Sequence, residues 1–388
     1  MEKQNLNKTW SEYKFNDNIL QDALFKHVID LMPYRMSDEG EVLEAMMNIQ
    51  ENDEESWIDT WSSLAARLQT RAENFERKGK LVSAASSYLR ASTYWRVSLM
   101  YFSKTDDKRM VDYSKKSQDC FDKALVYGEY PGEAIQIPYE KTFLPGHFYR
   151  SPKAGNKAPL LIVVPGRDTW ADDTMWVIRG ALQRGFHALT FDGPGQGMAL
   201  RLQNLKFRPD SENVMTPVID FAEQIEGVDV DHIGAIGLSF GGFMLPRATA
   251  FDDRLSVSIT DPGNLNWGGM ISERLEKLLQ IPEKVRPQMM DFMLKDYEWK
   301  HDATDQTIIH ELKKYDNRDI IDQVKTKTLV LDGSADVSSG TAEQFFEALT
   351  CPKDYLLFDE QTTAEQHTQM GGYLTATEYI MDWLEDNI

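Results

Sequence analysis

Ser239 lies in the stretch of this chain whose spacing best supports nucleophilic chemistry. Residues 237–241 read Gly-Leu-Ser-Phe-Gly, between an apolar run at 232–236, typical of a short buried strand, and a helix-like segment that begins with small residues. A Gly-x-Ser-x-Gly motif between a strand and a helix is typical of a nucleophile elbow, a tight turn that exposes the serine hydroxyl. Glycine is needed on both sides because a Cβ there would collide with neighbouring backbone. The sequence therefore predicts Ser239 as a nucleophile rather than an ordinary loop serine.

His367 is the predicted general base. A serine nucleophile needs a base to take its proton, and this motif occurs with the chain order serine, acid, histidine. The chain has seven histidines, and only His367 follows a plausible acid loop. It lies in a polar, glycine-rich loop after the apolar run at 355–358 and before a helix predicted over 374–385. A loop beyond the last strand is where the base is expected.

Two aspartates are candidates for the acid that orients the base. Both follow the apolar run at 328–331, where the sequence continues Asp-Gly-Ser-Ala-Asp. Asp336 stands three residues past the turn glycine, far enough along the loop to reach a histidine from the carboxyl end of the strand. Asp332 stands at the strand terminus and is expected to point into the sheet edge or to cap the turn. We therefore predict Asp336 as the acid, which would hold one imidazole tautomer and stabilise the imidazolium.

Two backbone N–H groups are expected to stabilise the oxyanion that forms when the serine attacks. One belongs to Phe240, the residue after the nucleophile. The other should come from the loop after an earlier strand, and the run at 160–164 with its loop at 165–168 fits that description. Arg167 is the predicted second donor, with Asp168 as the near alternative. The Arg167 side chain is either a binding group for a substrate anion or, as we favour, part of a surface salt bridge.

Short apolar runs recur along the later part of the chain and alternate with helix-like stretches. After an opening hairpin at 134–139 and 142–149, this alternation predicts parallel strands at 160–164, 187–191, 232–238, 255–260, 328–331 and 355–358. Apolar strands separated by helices are typical of a mostly parallel sheet with helices on both faces. The glycine-rich string at 192–197 lacks the dinucleotide-binding spacing, so no phosphate cradle is predicted there.

The chain is predicted to form two units. Residues 1–130 carry apolar residues at helical spacing, which predicts an N-terminal all-helical domain that serves as a lid or as a dimerisation surface. The boundary falls near the Tyr-Pro-Gly at 130–132. Residues 131–388 form the predicted catalytic domain, and the stretch at 263–313 interrupts its alternation as a small helical cap insertion. A homodimer formed through the first domain is one expected assembly.

The predicted cap would cover the serine, exclude water and supply an apolar pocket. Its helices are expected at 272–279 and 283–294. The residues predicted to bind substrate lie in this cap or in the loop near the oxyanion donors: Asp168, Trp267, Met270 and Met293. Core packing is the competing interpretation for apolar residues at helical spacing. Aromatic residues of the helical domain are further candidates to reach over the site: Tyr94, Tyr101 or Phe102.

Three strings together resemble one family of α/β-hydrolases. They are Phe-Asp-Gly-Pro-Gly-Gln-Gly at 191–197, the elbow with a further glycine at 237–242, and Glu-Gln-His at 365–367. The family includes 2,6-dihydroxypseudooxynicotine hydrolase, the fungal pigment enzymes that shorten a polyketide chain, and the fermentation–respiration switch proteins. The resemblance covers most of residues 55–388. It implies an α/β-hydrolase fold, an N-terminal helical domain, frequent dimers and, in some members, cleavage of carbon–carbon bonds beside a carbonyl.

The resemblance assigns the family's catalytic triad to Ser239, Asp336 and His367. Some relatives that cleave carbon–carbon bonds are thought to use a further glutamate, in the segment after the strand that follows the elbow helix. In this chain that segment has no obvious equivalent, since Glu273 is the nearest glutamate and Asp261 is the alternative stand-in. The departure concerns carbon–carbon cleavage and not the fold.

The amino-acid composition limits the classes of partner that the protein is expected to bind. The 388 residues carry 42 basic and 62 acidic side chains, a formal charge of −20, and nucleic-acid binding usually needs a basic face. Two cysteines indicate neither a disulfide framework nor a Cys-rich metal site, and the mechanism needs no metal or cofactor. The first residues lack an apolar leader and no run reaches the ~18 apolar residues of a membrane span. A cytoplasmic protein without nucleic-acid or membrane partners is therefore expected.

The sequence thus predicts a serine hydrolase that acts on a small molecule with a carbonyl group. The bond broken is a carbon–carbon bond next to a ketone, or an ester, thioester or amide. Two alternatives stay open: acyl transfer to an alcohol or amine by the same triad, and a non-catalytic regulatory binding protein on the same fold. The intact set of Ser239, Asp336 and His367 disfavours the second alternative, because a non-catalytic scaffold is free to lose any of them.

Overall fold

Five helices precede the sheet in the described part of the chain. The computed structural model describes residues 9–338 and 340–388, so the first eight residues of the predicted helical domain, with the stretch examined for a leader, lie outside the described residues. The helices are α1 (Ile19–Asp30), α2 (Glu39–Asn48), α3 (Glu54–Arg77), α4 (Leu81–Val97) and α5 (Lys108–Tyr127). They occupy the segment that the sequence predicts to be helical, and α5 ends just before the predicted boundary at 130–132.

The apolar stripe predicted on α3 packs against the neighbouring helices. Asp53 begins this helix by accepting a hydrogen bond from the N–H of Ser56. Trp57 and Trp61 lie four residues apart, which places both indole rings on one face of the helix, and both are fully buried. The ring of Trp61 lies 5.4 Å from that of Tyr94 on α4, centroid to centroid. The prediction that the stripe forms core packing is confirmed.

An eight-stranded sheet lies at the centre of the described residues. Its strands are β1 (Gly132–Tyr139), β2 (Thr142–Tyr149), β3 (Ala158–Val164), β4 (His187–Phe191), β5 (Val228–Leu238), β6 (Val257–Asp261), β7 (Lys327–Gly333) and β8 (Lys353–Phe358). The spatial order is β1-β2-β4-β3-β5-β6-β7-β8. Strand β2 is antiparallel to both of its neighbours, β1 and β4, and all other neighbouring strands are parallel. Each predicted strand coincides with an observed one.

Helices cover both faces of the sheet. Those after the first strand pair are α6 (Met175–Gln183), α7 (Gly197–Gln203), α8 (Glu212–Glu223), α9 (Phe240–Phe251), α10 (Trp267–Leu279), α11 (Gln288–Lys300), α12 (Ile308–Leu312), α13 (Thr341–Ala348) and α14 (Tyr373–Asn387). Side chains of a strand alternate between its faces. Accordingly, Leu160 and Ile162 of β3 pack in one core with α8 and α9, while Leu161 and Val163 pack in another with α6 and α14. The predicted fold class is confirmed.

The insertion between β6 and β7 contains α10, α11 and α12, within the stretch predicted as a cap. The second cap helix begins later than predicted, at Gln288 instead of 283, and extends to Lys300. Pro287 explains the difference, because proline has no N–H and disfavours helical backbone at the residue before it. Residues Glu283–Val285 form a separate short 3-10 turn ahead of it.

The helical region is fixed to the sheet region by apolar packing and a buried ion pair. Trp170, from the segment after β3, is 1% exposed and packs in the core of α3 and α4. Arg96 of α4 is fully buried, donates from Nε to Asp173 at 2.8 Å, and forms an ion pair with the same carboxylate through Nη2 at 2.6 Å. This contact joins α4 to the segment after β3.

Candidate active site

The turn between β5 and α9 holds Ser239 in a strained backbone conformation. Its φ of 54° and ψ of −117° lie outside the regions that L-residues ordinarily occupy. A Cβ on Gly237 would collide with the carbonyl of Gly241, and a Cβ on Gly241 would collide with the carbonyl of Val164. The predicted need for glycine on both sides of the serine is confirmed. The N–H of Ser239 donates to the carbonyl oxygen of Asp261 at 2.5 Å, which ties the turn to the end of β6.

Ser239, His367 and Asp336 form one hydrogen-bonded series. Ser239 Oγ lies 2.7 Å from His367 Nε2, and His367 Nδ1 lies 2.7 Å from Asp336 Oδ2. Because an ionised carboxylate only accepts, Nδ1 must carry the proton, which leaves Nε2 free to accept from the serine. The other carboxylate oxygen of Asp336 accepts from both the N–H and the hydroxyl of Ser338, each at 2.6 Å. The structure thus brings together the three residues that the sequence placed far apart.

The series also sets the charges of its members. Burial disfavours the imidazolium of His367, but the hydrogen bond and the negative charge of Asp336 outweigh this, so the pKa of His367 is raised from its ordinary value. Burial disfavours the carboxylate of Asp336, and the hydrogen bonds from His367 and Ser338 reverse that effect and lower its pKa. The aspartate is therefore ionised at neutral pH, and the imidazole is better able to hold a proton.

Asp332, the alternative acid, is engaged elsewhere. One of its carboxylate oxygens accepts from the N–H of Gly333 at 2.8 Å, and the other accepts from the hydroxyl of Tyr355 at 2.7 Å. Tyr355 lies on β8, which pairs with β7, so the Asp332 side chain stays at the sheet edge. This matches the expectation that Asp332 caps the turn.

Backbone N–H groups on two sides of Ser239 are available to a developing oxyanion. Phe240 is the first residue of α9, where an N–H has no partner inside the helix. Within residues 9–338 and 340–388, the N–H groups of Phe240, Arg167 and Asp168 have no hydrogen-bond partner. The loop that carries the last two is held close to the serine, since a Cβ on Gly166 would lie 3.0 Å from Ser239 Cβ. The structure therefore leaves the predicted donors unpaired among the described residues and brings the loop of Arg167 and Asp168 close to the serine.

The Arg167 side chain forms a salt bridge, but the predicted surface location is wrong. Its guanidinium is 7% exposed, lies 3.7 Å from the ring centroid of Tyr297, and donates from Nη1 to Asp296 at 2.6 Å and to Asp168 at 2.9 Å. Lys300 Nζ closes the group, 2.6 Å from Asp168 and 3.0 Å from Asp296. The sequence could not place Arg167 inside, because Asp296, Tyr297 and Lys300 come from the insertion.

A cavity of about 360 Å³ opens beside Ser239 and His367. Its walls come from α1, the turn after α4, the loop after β3, α7, α11 and the histidine loop. Asp168, Met293 and Phe102 line it as the sequence predicted. Lining residues that the sequence analysis missed include Leu20, Leu24, His27, Met100, Arg201 and Tyr297. The only signal for the first three was the helical spacing of residues 20, 24 and 27, which does not reveal what the helix faces.

The prediction that Trp267 and Met270 contact substrate is wrong. Neither lines the cavity; both pack in the core shared with α8 and α9. The ring of Trp267 is 8% exposed and lies 4.2 Å from that of Phe240, centroid to centroid. The physical reason is that α10 begins directly under the elbow helix and buries its first turn there. Tyr94 and Tyr101 are likewise absent from the cavity walls and are buried in the helical core.

Asp261, and not Glu273, lies beside the histidine loop. Asp261 ends β6, is fully buried, and accepts from Gln369 Nε2 at 3.0 Å through one carboxylate oxygen. Burial raises the pKa of Asp261 to about 7, against the opposing effects of the Gln369 hydrogen bond and the charge of His367. Glu273 is exposed on α10 and does not line the cavity.

The described residues contain neither a candidate metal cluster nor a helix that could span a membrane. Across positions 9–338 and 340–388, no group of three or more His, Cys, Asp or Glu side chains is arranged to hold a metal ion. None of the helices in this part of the chain combines the length and the apolar character needed to cross a membrane.

The geometry of the elbow agrees with a family signature in the sequence. The signature of the alpha/beta hydrolase family matches residues 161–363, slightly more than half of the chain. The chain belongs to the alpha/beta hydrolase family. The matched segment contains Ser239 and Asp336 and ends just before His367, so the histidine is placed by the structure and not by this match.

Fungal members of the family are similar in sequence. The 20-hydroxy-prefusarin hydrolase of Gibberella moniliformis is 33% identical over 253 residues, which cover 62% of this chain and 60% of that protein. The alpha/beta hydrolase psoB of Aspergillus fumigatus is 32% identical over 270 residues, covering 66% of this chain and 60% of that protein. The chain thus spans about three fifths of the length of these relatives. The predicted resemblance to fungal hydrolases is confirmed.

Solved structures share the fold along nearly the whole chain. The crystal structure of the 2,6-dihydroxy-pseudo-oxynicotine hydrolase has a TM-score of 0.77 at 20% identity, covering 94% of this chain and 95% of that one. The structure of AbyA5 has a TM-score of 0.66 at 14% identity, covering 93% of this chain and 95% of that one. The fold that these two structures share with this chain therefore extends over the helices ahead of the sheet.

Proposed function

We propose that this protein is a serine hydrolase that cleaves a small molecule beside a carbonyl group. Ser239 is the nucleophile, His367 the base and Asp336 the acid that orients it. The observation that carries the proposal is the hydrogen-bonded series from Ser239 Oγ through both ring nitrogens of His367 to Asp336, beside an open cavity. Membership of the alpha/beta hydrolase family supports it.

The first half of the reaction forms an acyl-enzyme. Ser239 Oγ attacks the carbonyl carbon while His367 Nε2 takes the hydroxyl proton, and Asp336 stabilises the imidazolium. The N–H groups of Phe240 and Arg167 stabilise the oxyanion, with the N–H of Asp168 as the alternative second donor. When the tetrahedral intermediate collapses, the bond to the leaving group breaks, and that group takes the proton from His367.

The second half releases the acyl group to water. His367 removes a proton from a water molecule, whose oxygen attacks the acyl carbon, and Ser239 Oγ leaves with the proton returned by His367. The products are a carboxylic acid and the free serine. If the bond broken is a carbon–carbon bond beside a ketone, the leaving carbon takes the proton from His367 in the first half of the reaction, and the second half is unchanged.

The proposed substrate is a medium-sized and largely apolar carbonyl compound. The cavity volume of about 360 Å³ falls within the range of small-molecule sites. Apolar side chains from the helical region and α11 form much of its lining: Leu20, Leu24, Leu99, Met100, Phe102, Phe292 and Met293. The relative from Gibberella moniliformis is named as a hydrolase of 20-hydroxy-prefusarin, which supports hydrolysis as the reaction. The bond is proposed to be carbon–carbon beside a ketone, or an ester, thioester or amide.

Covalent labelling tests the proposal without knowledge of the substrate. The protein is treated with a small fluorophosphonate, digested and analysed by peptide mass spectrometry. We expect attachment at Ser239, and a labelling rate at least about 100-fold lower in His367→Ala, because the base activates the hydroxyl. Asp332→Asn is the matched control, since Asp332 lies at the end of β7, just before the loop of Asp336, and does not contact the histidine. The mechanism is contradicted if the fluorophosphonate does not label Ser239 of the wild-type protein and a small p-nitrophenyl ester does not acylate it.

A further inference from the structure

The charged groups around the cavity are neutralised with one exception in the described residues. Arg167 and Lys300 each pair with Asp168 and Asp296, as given above. Arg201 also lines the cavity, and no Asp or Glu oxygen in residues 9–338 and 340–388 lies within 4.0 Å of its guanidinium. A charge that is partly removed from water without a counter-ion is costly, and such groups are usually paired.

The residues around Arg201 contact the guanidinium but leave some of its N–H donors without a hydrogen-bond partner. Its carbon Cζ lies 4.5 Å from the ring centroid of Trp170 and 5.5 Å from that of Trp299, and Nη1 donates to the carbonyl oxygen of Gly197 at 3.2 Å. Nε is buried and has no partner in the described residues. Burial lowers the pKa of Arg201 to about 10, so the group is still a cation at neutral pH. Two indole rings therefore position a cation that has unused N–H donors.

The carboxylates that act on Arg201 from a distance are all engaged with other groups. These are Asp296 and Asp168, which pair with Arg167 and Lys300; Asp173, which pairs with Arg96; and Asp192, which accepts from the N–H groups of Ala171 and Met198. None of them can turn to Arg201 without losing a buried partner. Among the described residues this guanidinium therefore has no counter-ion of its own, and the residue lines the cavity beside Ser239.

We propose that Arg201 binds a carboxylate group at the end of the substrate remote from the reacting carbonyl. A guanidinium offers parallel N–H donors that match the two oxygens of a carboxylate. The inference rests on the proposed function, since it takes the cavity beside Ser239 to be the substrate site. It adds that the substrate is an acid whose charge meets Arg201 while its carbonyl meets the serine, so Arg201 selects acidic over neutral carbonyl compounds.

A series of esters tests the selection. Mono-p-nitrophenyl esters of succinate, glutarate, adipate and pimelate place a free carboxylate at increasing distance from the ester, and their methyl-capped counterparts are neutral. We expect wild type to prefer the acidic ester of one length, and Arg201→Gln to lose about 10- to 100-fold of this preference, the range of a charged hydrogen bond. Turnover of the neutral esters should fall by a smaller factor than turnover of the acidic ester, since the neutral esters do not use the charge.

Two further variants keep the test decisive. Arg184→Gln removes a cation that pairs with Asp382 away from the cavity, and it should retain the wild-type preference. Arg201→Lys keeps the charge but lacks the parallel N–H donors of the guanidinium, and it should lose at least about threefold of the preference. If Arg201→Gln does not fold, Arg201→Lys decides alone. An unchanged preference in the folded Arg201 variants overturns the proposal.

A binding measurement separates failure of this inference from failure of the proposed mechanism. Titration calorimetry with adipate on Ser239→Ala needs no turnover. Binding that weakens about 10-fold or more when Arg201→Gln is added supports the carboxylate site even if wild type hydrolyses no ester. Equal affinity in the two proteins, or no binding to either, contradicts the carboxylate site even if neutral esters are hydrolysed at Ser239.

Discussion

The two sides of the cavity are built in different ways. On the reacting side, Ser239, Asp336 and His367 each follow a strand of the parallel sheet, after β5, β7 and β8. The carboxyl ends of parallel strands meet at one edge, so topology alone brings these groups near each other. The facing side consists of α1, the turn at 99–102 and α11, which reach the site only through the docking of helices. We infer that the reacting side sets the chemistry and the facing side sets the choice of substrate.

The largest expected effect comes from the reacting side. Ser239→Ala should reduce turnover of any substrate by at least about 10⁴-fold, because no other group can form the acyl-enzyme. The thermal unfolding midpoint should change little, as one hydroxyl is lost. Ser334→Ala, an exposed serine on the loop after β7, is the control and should leave turnover unchanged. Turnover by Ser239→Ala close to the wild-type rate would show that the nucleophile is elsewhere.

Asp332, at the end of β7, and Asp336, in the loop after it, can be compared directly within the reacting side. Asp336→Asn should lower kcat by about 10³- to 10⁴-fold, because an amide no longer holds the required tautomer or stabilises the imidazolium. Asp332→Asn should stay within about threefold, since that side chain meets Gly333 and Tyr355. Steady-state kinetics on one p-nitrophenyl ester measures both. Equal losses in the two variants would contradict the assignment of the acid.

Trp267 tests the boundary between core and cavity. Trp267→Ala should lower the free energy of unfolding by about 3–5 kcal/mol, the usual cost of removing a large buried aromatic side chain. Met293→Ala, at a residue that is 39% exposed and lines the cavity, should change stability by less than about 1 kcal/mol. Denaturant titration followed by circular dichroism compares the two. A small loss for Trp267→Ala would mean that the indole ring is not part of the core.

The pH dependence reports the contact between His367 and Asp336. The base must be neutral to accept the serine proton, so activity is lost as pH falls through the pKa of His367. Because Asp336 raises this pKa from 6.5, the midpoint of the acid limb of kcat/KM should lie above pH 6.5. In Asp336→Asn the charge that raises the pKa of His367 is gone and burial remains, so the midpoint of the labelling rate should move to lower pH. A midpoint that does not move would contradict the contact.

The smallest effect is expected on the facing side. Phe102→Ala enlarges the cavity without touching the reacting groups, so it should raise KM for a medium-sized ester by about 3- to 10-fold and change kcat by less than about twofold. Phe251→Ala, at an exposed phenylalanine at the end of α9, is the matched control. A loss confined to kcat would show that the facing side acts on the chemistry as well.

The sequence predicted the strands and the reacting residues because both are written in local patterns. The elbow glycines and the apolar runs each occupy a few consecutive residues, and the serine, the acid and the histidine each follow one of these runs in a fixed chain order. The surroundings of Arg167 could not be predicted in the same way, since Asp296 lies 129 residues further along the chain. Trp267 and Met293 both lie in the insertion and were both predicted to bind substrate, yet one lies in the core and the other lines the cavity.

By itself, the sequence determined the sheet, the strained turn and the order of the three reacting groups, because sterics, side-chain alternation and topology act over short stretches or along strand ends. Only the tertiary structure decided which face of α1 looks into the site, where the inserted helices pack, and which charges meet across the cavity. Those outcomes depend on contacts between segments far apart in the chain, and helical spacing identifies a buried face without naming its partner.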